Sequence, residues 1–286
     1  MSAVDLRPLS LGEILDRTFS LYRNNFLLFI GISAIPALLS FAAGMAALFL
    51  NPVRAAILSP DPANLGALLP SFGGVMMQLV TIVVYLIAYL FSQGGTILAV
   101  SDLYLGRPTT IAASLRGVWS EFGALFGVVI LNGLVVGVSL LLLIIPGIYV
   151  ACRLLVCVPA ALIEHRGPRE SLSRSFELTR GSAWRSFVVM LLTIVLSLTA
   201  GFIFSFPLGV LMGAYSRDPE MLRLVTAANL VASSIANVLV TPVLLIATSV
   251  YYYDLRVRKE AFDLQFMMDP TSQRVSRSGD IPSILS

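Results

Sequence analysis

LGEILDRTFSLYRNNF (residues 11–26) and RESLSRSFELTRGSAWRSF (residues 169–187) are the stretches that decide the fold. Leu15, Arg17, Phe19, Leu21 and Arg23 of the first return 157 positions later as Leu172, Arg174, Phe176, Leu178 and Arg180. Each copy stands directly ahead of a long apolar run. A spaced pattern of basic and apolar residues, repeated before two membrane-length segments, indicates an internally duplicated integral membrane protein. The repeat carries no catalytic chemistry, so it speaks to architecture and location rather than to an activity.

Composition agrees. The chain is 57% hydrophobic and 12% charged, where soluble domains carry about 25% charged residues. So few charges cannot cover a water-facing surface for 286 residues, and lipid must serve as part of the solvent. The formal charge of +3 is small and rests on arginine, with Lys259 the one lysine. Few aromatics interleave with the basic residues, so the balance points to membrane lipids as partners and not to nucleic acid. Cys152 and Cys157 share one apolar segment at a spacing that turns them to different helix faces, which predicts small buried hydrophobes rather than a disulfide or metal site. No secretory signal is expected, because the first apolar run begins only near Phe26 and is too long for one.

A helical crossing needs about 20 apolar residues. Six segments qualify: 26–50, 74–98, 123–145, 148–164, 184–212 and 225–252. Pro146 and Gly147 divide the third from the fourth and predict a tight hairpin there. With the amino terminus inside, 15 of the 19 basic residues fall on the cytoplasmic side, 3 outside, and Arg153 within a span. That bias places both termini in the cytoplasm. The outer loop at 51–71 carries four prolines and is expected to be irregular.

Residues 10–25 form an amphipathic helix candidate, with Ser10 and Glu13 at capping-box spacing and a stripe of Leu15, Phe19, Tyr22 and Phe26. Residues 169–183 repeat it, with Glu170 and Arg174 spaced for a helical ion pair, and 110–121 is a weaker third copy. The fold expected is all-α and polytopic: six transmembrane helices in three hairpins, each preceded by an amphipathic elbow helix on the cytoplasmic side. The membrane domain covers 1–268, and the Ser-rich 269–286 is expected to be a disordered cytoplasmic tail.

Three stretches carry a family likeness. LRPLSLGEILDRTFSLYRNNF (6–26), PGIYVACRLLVCVPAALIEHRGPRESLSRSFELTRG (146–181) and YYYDLRVRKEAFDLQF (251–266) together resemble the membrane domain of some bacterial glycerophosphoryl diester phosphodiesterases, and the stand-alone membrane proteins built on that domain. The resemblance runs from about residue 6 to 267 and implies a six-helix domain of the bacterial inner membrane. The family's catalytic part is a separate TIM barrel with paired histidines and metal-binding carboxylates. This chain has one histidine, His165, and no room beside its spans for a barrel of roughly 250 residues, so the resemblance implies the membrane part without the enzyme part.

Arg153, inside a span, either holds a lipid phosphate or another anion, or else snorkels outward or bonds free carbonyls near the turn. Arg17 and Arg174 are the other candidate anion or lipid contacts. Asp254, Arg256 and Arg258, in a charge cluster after the last span, are a candidate inner-face docking surface for a membrane or cytoplasmic protein. The alternative is a helix end with Tyr251, Tyr252 and Tyr253 as an aromatic belt and charges paired to the elbow arginines and Glu164. Gln78, Asn132, Asn229 and Asn237 are polar residues in or near spans, able to line a path or to bond between helices. Pro207 and Pro242 are expected to kink their helices. Gly94–Gly95 is expected to allow close packing or a bend. No catalytic, cofactor or metal-ligating constellation is apparent, and His165 beside Glu164 has no nucleophile or ligand set around it. The leading expectation is a non-enzymatic scaffold, anchor or regulator at the cytoplasmic leaflet. The alternative is a transporter or lipid-handling protein with a site between repeat units, favoured by a polar cavity reaching Arg153.

Overall fold

The computed structural model describes residues 7–50 and 72–260. The expectations for 51–71 and for the tail fall outside these residues. Among the described residues the chain is helical, without strands, and forms α1 (Leu11–Asn24), α2 (Phe26–Leu50), α3 (Phe72–Tyr104), α4 (Ile111–Ser120), α5 (Phe122–Leu142), α6 (Ile144–Arg153), α7 (Cys157–Ile163), α8 (Pro168–Leu178), α9 (Ala183–Phe204), α10 (Phe206–Ala214) and α11 (Pro219–Glu260). Six stretches are long and apolar enough to cross a membrane: Phe26–Phe49, Phe72–Tyr104, Phe122–Leu142, Ile144–Glu164, Ala183–Phe204 and Pro219–Glu260.

Proline explains where these helices break. It has no amide proton for the carbonyl four residues earlier, and its ring crowds that carbonyl. Helix α5 ends at Leu142, four residues before Pro146, and Leu143 is extended (φ −155°, ψ 127°). The division between the third and fourth spans therefore lies at Leu143 and not at the Pro146–Gly147 pair, which belongs to the first turn of α6. Pro159 interrupts the fourth span in the same way: it is not one straight helix but α6 and α7, separated at 154–156. Pro207 divides the fifth span into α9 and α10 at Ser205. Pro36 and Pro242 lie inside helices that continue through them.

The short helix α1 starts with a complete capping box between Ser10 and Glu13. The Ser10 amide, with Arg7 beside it, holds the Glu13 carboxyl down at about 2. Its buried positions are Ile14 and Thr18, whereas Phe19 is 52% exposed and Phe26 43%. The protein-facing side is thus turned by one residue from the expected stripe. Helices α4 and α8 bury a pair at the same spacing, Ser114 and Val118 in α4, Ser171 and Ser175 in α8. Cys152 and Cys157 are both buried and free. Gly94 and Gly95 pack tightly: a Cβ on Gly94 would lie 2.9 Å from Leu125 and Val118, and one on Gly95 2.8 Å from Ile32.

The core gathers at the C-terminal end of α11. Tyr251, Tyr252 and Tyr253 are each 0% exposed, which corrects the aromatic-belt reading. Successive helical residues point about 100° apart, so three consecutive tyrosines reach three neighbours. Tyr251 shares a 2.8 Å hydrogen bond with Ser186 of α9, Tyr252 donates to Glu164 after α7 (2.7 Å), and Tyr253 meets Ser101 of α3 (2.7 Å). Each buried hydroxyl is thereby satisfied. Tyr253 also stacks on Tyr104 at 4.7 Å.

The packing of α6 against α5 offers a direct test. A Cβ on Gly147 would lie 2.7 Å from both the Cα and the amide nitrogen of Leu140, and backbone cannot yield cheaply. Gly147→Ala should destabilise the protein by about 1–3 kcal/mol, read as a lower thermal midpoint in detergent. Gly133→Ala, with nothing within 4 Å, should be neutral or stabilising by up to about 1 kcal/mol. Identical melting of both variants and the parent would contradict this packing.

Candidate functional site: a polar cleft between α2, α3 and α11

Charged residues concentrate around the end of α11 and are largely spent on one another. Asp254 is 1% exposed. Its carboxylate accepts from the Leu9 amide (2.7 Å), Arg185 (2.9 Å) and Arg258 (3.0 Å to each oxygen), while both arginines also donate to the Leu9 carbonyl. This ties the segment before α1 to α9 and α11. A second cluster centres on Glu164, which accepts from Arg166 (2.6 Å), Arg174 (2.9 Å) and Tyr252, with Arg256 at 3.9 Å. Arg174 and Arg256 both pair with Glu260 as well. Arg174 turns to these groups and to Glu177, not to Glu170. Burial opposes its charge, but Glu260 and Glu164 outweigh that and hold its pKa above the ordinary value. The expected pairing of the cluster with an elbow arginine and Glu164 is present. The docking candidates are less free than expected: Asp254 is enclosed, Arg258 is bonded to it, and Arg256 is bonded to Glu260.

Arg153 ends α6 and lies against α8. Its Nε donates to Thr179 (3.0 Å), one terminal nitrogen to Tyr149 (2.8 Å) and the other to the Phe176 carbonyl. Lys259 donates to the carbonyls of Glu177 (2.9 Å) and Arg180 (2.6 Å). The last carbonyls of a helix have no partner within it and carry its negative dipole end. Two cations therefore close the C-terminus of α8. Arg153 bonds a carbonyl as one reading anticipated, but that of Phe176 in α8 and not one near Pro146–Gly147. Arg17 lies 5.4 Å from the centre of the Tyr104 ring. His165 is exposed and meets Glu121 at 2.9 Å.

The opening into the bundle lies elsewhere. A cleft of about 210 Å³ is lined by Ser33, Pro36, Ala37 and Ser40 of α2, Tyr85, Ala88, Tyr89 and Ser92 of α3, and Leu230, Ser233, Ser234, Asn237, Val238 and Thr241 of α11. It sits between the first pair of spans and the last, and Arg153 is not among its walls. Ser33 and Ser92 are buried and bond each other at 3.4 Å. Tyr85, Tyr89 and Asn237 are exposed at the mouth. Ser233 and Ser234 donate to the Leu230 carbonyl. Five polar side chains on the walls, Ser40, Tyr85, Tyr89, Asn237 and Thr241, make no hydrogen bond to the described residues. Of the polar span residues singled out in the sequence, Asn237 alone lines the cleft. Asn132 and Asn229 are elsewhere, each with a buried amide oxygen lacking a partner among the described residues. The signal for the rest was helical spacing within three spans, Tyr85, Tyr89 and Ser92 four and three apart, Ser33 and Ser40 seven apart, and Ser234 and Thr241 seven apart, which places each set on one helix face.

The six apolar helices are those of a multi-pass membrane protein. The family model for the membrane domain of glycerophosphoryl diester phosphodiesterase matches residues 129–278, just over half of the chain, and the chain belongs to this family. The match covers the membrane domain and not the catalytic one, and it includes Arg153, both charge clusters and the α11 wall of the cleft. No curated protein and no solved structure matches the chain.

The Asp254 cluster can be tested alone. Asp254→Ala leaves Arg185 and Arg258 without their carboxylate, and loss of one partner of a buried pair costs about 3–5 kcal/mol. Amide hydrogen exchange at Leu9 should accelerate together with a drop in thermal midpoint. Unchanged exchange at Leu9 would show that the carboxylate does not anchor this segment.

Proposed function

We propose that this protein is a non-enzymatic lipid-handling protein of the bacterial inner membrane, which seats the polar part of a membrane amphiphile in the cleft between α2, α3 and α11. The observation that carries this reading is the set of five uncommitted polar side chains on the cleft walls. Ser40, Tyr85 and Asn237 fall near the middle of the predicted spans 26–50, 74–98 and 225–252. Groups at that depth have no bulk water to bond. Sites of membrane proteins built from repeats commonly lie near the midplane between repeat units. The scaffold reading has less support, because its docking residues are engaged within the protein.

In this proposal α1, α4 and α8 are the elbows, lying along the cytoplasmic interface ahead of three hairpins, with both termini inside. Exposed aromatics accompany all three: Phe19 in α1, Trp119 (73% exposed) in α4 and Trp184 (72%) shortly after α8. Such rings favour the headgroup level, where Arg17 and its neighbours meet lipid phosphates. In a Cys152→Ala, Cys157→Ala background, single cysteines at 146 and 218 should react with an impermeant reagent from outside, and those at 110 and 170 should not. The inverse pattern would overturn the orientation.

Filling the cleft tests the site. Ser40→Leu and Ser234→Leu add apolar bulk to facing walls. Native mass spectrometry of the parent, extracted in mild detergent, should show a bound lipid that both variants lose while retaining helicity and elution volume. Equal lipid retention by correctly folded variants would place the lipid elsewhere and defeat the reading.

A further inference from the structure

The chemistry of the cleft walls restricts what they can hold, and this inference rests on the lipid-handling reading above. We propose that the bound head group is uncharged and carries hydroxyls, and that it enters sideways from the bilayer with its chains left in lipid.

The first support is charge. None of the lining residues is Asp, Glu, Lys, Arg or His. Arg185, Arg174 and Arg153 lie away from the cleft, engaged with Asp254, Glu164 and the end of α8. A phosphate or ammonium group would stand here without a counterion, in the part of the bilayer where an isolated charge is most costly.

The second support is the balance of donors and acceptors. Pro36 and Pro242 have no amide proton, so the carbonyls of Ile32 and Val238 lose their ordinary helical donors. Val238 itself lines the cleft, as do Ser33 and Pro36 beside Ile32. These carbonyls only accept, and a phosphodiester has no proton to give them. The Tyr85, Tyr89, Ser40 and Thr241 hydroxyls and the Asn237 amide donate as well as accept. A hydroxyl does both, and complements a wall of this mixture. The volume of about 210 Å³ has room for several water molecules, hence for a group of several heavy atoms rather than a single ion.

The third support is access. The buried floor of Ser33, Pro36, Ala88 and Ser92 leads to a mouth at Tyr85, Tyr89 and Asn237. Exposed Leu38, Val83 and Ile235 stand beside the lining residues, on surfaces that face lipid in mid-span. A polar group can sit on the floor while acyl chains lie along those side chains.

The test uses the full chain in nanodiscs of zwitterionic lipid with a photoactivatable dioleoylglycerol probe. Crosslinks should map to α2, α3 and α11. Unlabelled dioleoylglycerol should compete, and dioleoyl phosphatidic acid, which puts phosphate in place of the hydroxyl, should compete at least roughly 50-fold less well, from the insertion cost of a central charge. Free glycerol should not compete. Tyr85→Phe and Asn237→Leu should each lower labelling several-fold, with circular dichroism and gel filtration unchanged. Should one fail to fold, the competition series in the parent still decides the matter. Equal competition by phosphatidic acid overturns the uncharged class while leaving the cleft as a lipid site. Competition by free glycerol overturns the amphiphile in favour of a soluble polyol. Crosslinks outside these three helices overturn both the class and the lipid-handling reading.

Discussion

Inside a bilayer a backbone carbonyl that loses its helical donor finds no water to replace it, and proline removes one such donor wherever it stands. This constraint organises the chain. At Pro146, Pro159 and Pro207 the helix yields and the path changes direction, dividing α5 from α6, α6 from α7 and α9 from α10. At Pro36 and Pro242 the helix holds. An interior proline costs about 3 kcal/mol, so packing must offset it there. Phe29 and Ile32 lie buried one or two turns before Pro36, and Ile246 and Val250 one or two turns after Pro242. The Tyr22 hydroxyl bonds the Leu239 carbonyl (2.9 Å), a polar tie from α1 into the turn before Pro242. Where the prolines break helices the chain changes direction. Where they do not, it keeps a cleft.

Around the end of α11 the same requirement is met by side chains. The segment before α1, the C-terminus of α8 and the end of α7 all leave backbone or carboxylate groups needing partners. Arg185 and Arg258 satisfy Leu9, Arg153 and Lys259 satisfy α8, and Tyr252 reaches Glu164. Buried ion pairs add little net stability against a hydrophobic alternative, because desolvation opposes them. Their effect here is on register. Three tyrosines in succession and a carboxylate with three donors leave α11 few ways to sit against α1, α3, α7 and α9.

The six spans were legible because a long apolar run needs no knowledge of its neighbours. The breaks were displaced by a few residues because proline acts on the carbonyl four positions back, so Leu143 bends and Pro146 does not. The stripe on α1 was turned by one residue for a different reason. A helix lying between lipid and protein has two apolar faces, and hydrophobicity does not tell them apart. Phe19 faces outward, while the small, hydroxyl-bearing Thr18 is enclosed, its proton given to the Ile14 carbonyl. Tyr251–Tyr253 were misread on the same ground, since an amphipathic ring suits both a headgroup belt and a core with partners at hand. The cleft was nearly invisible: its serines and tyrosines come from helices far apart in the chain, and each alone looks like ordinary span composition.

What sets those residues apart is where their protons go. Most hydroxyls elsewhere in the spans fold back on their own helix: Thr81 bonds the Met77 carbonyl, Ser139 that of Val135, Thr226 that of Leu222 and Ser249 that of Leu245, while Thr96, buried on α3 outside the cleft, has no partner among the described residues. Back-bonding satisfies a hydroxyl locally and lets the helix face lipid. Ser40 and Thr241 stand in helices of the same kind, with carbonyls four residues behind them, and do not use them. Tyr85 and Tyr89, in mid-span, lack even that option. Left dry, such groups oppose packing of the three helices. Supplied with a hydroxyl-bearing guest or water, they hold the same helices apart at a fixed distance. An arrangement that departs from the chain's own habit at adjacent positions on separate helices is better explained by an occupant than by packing.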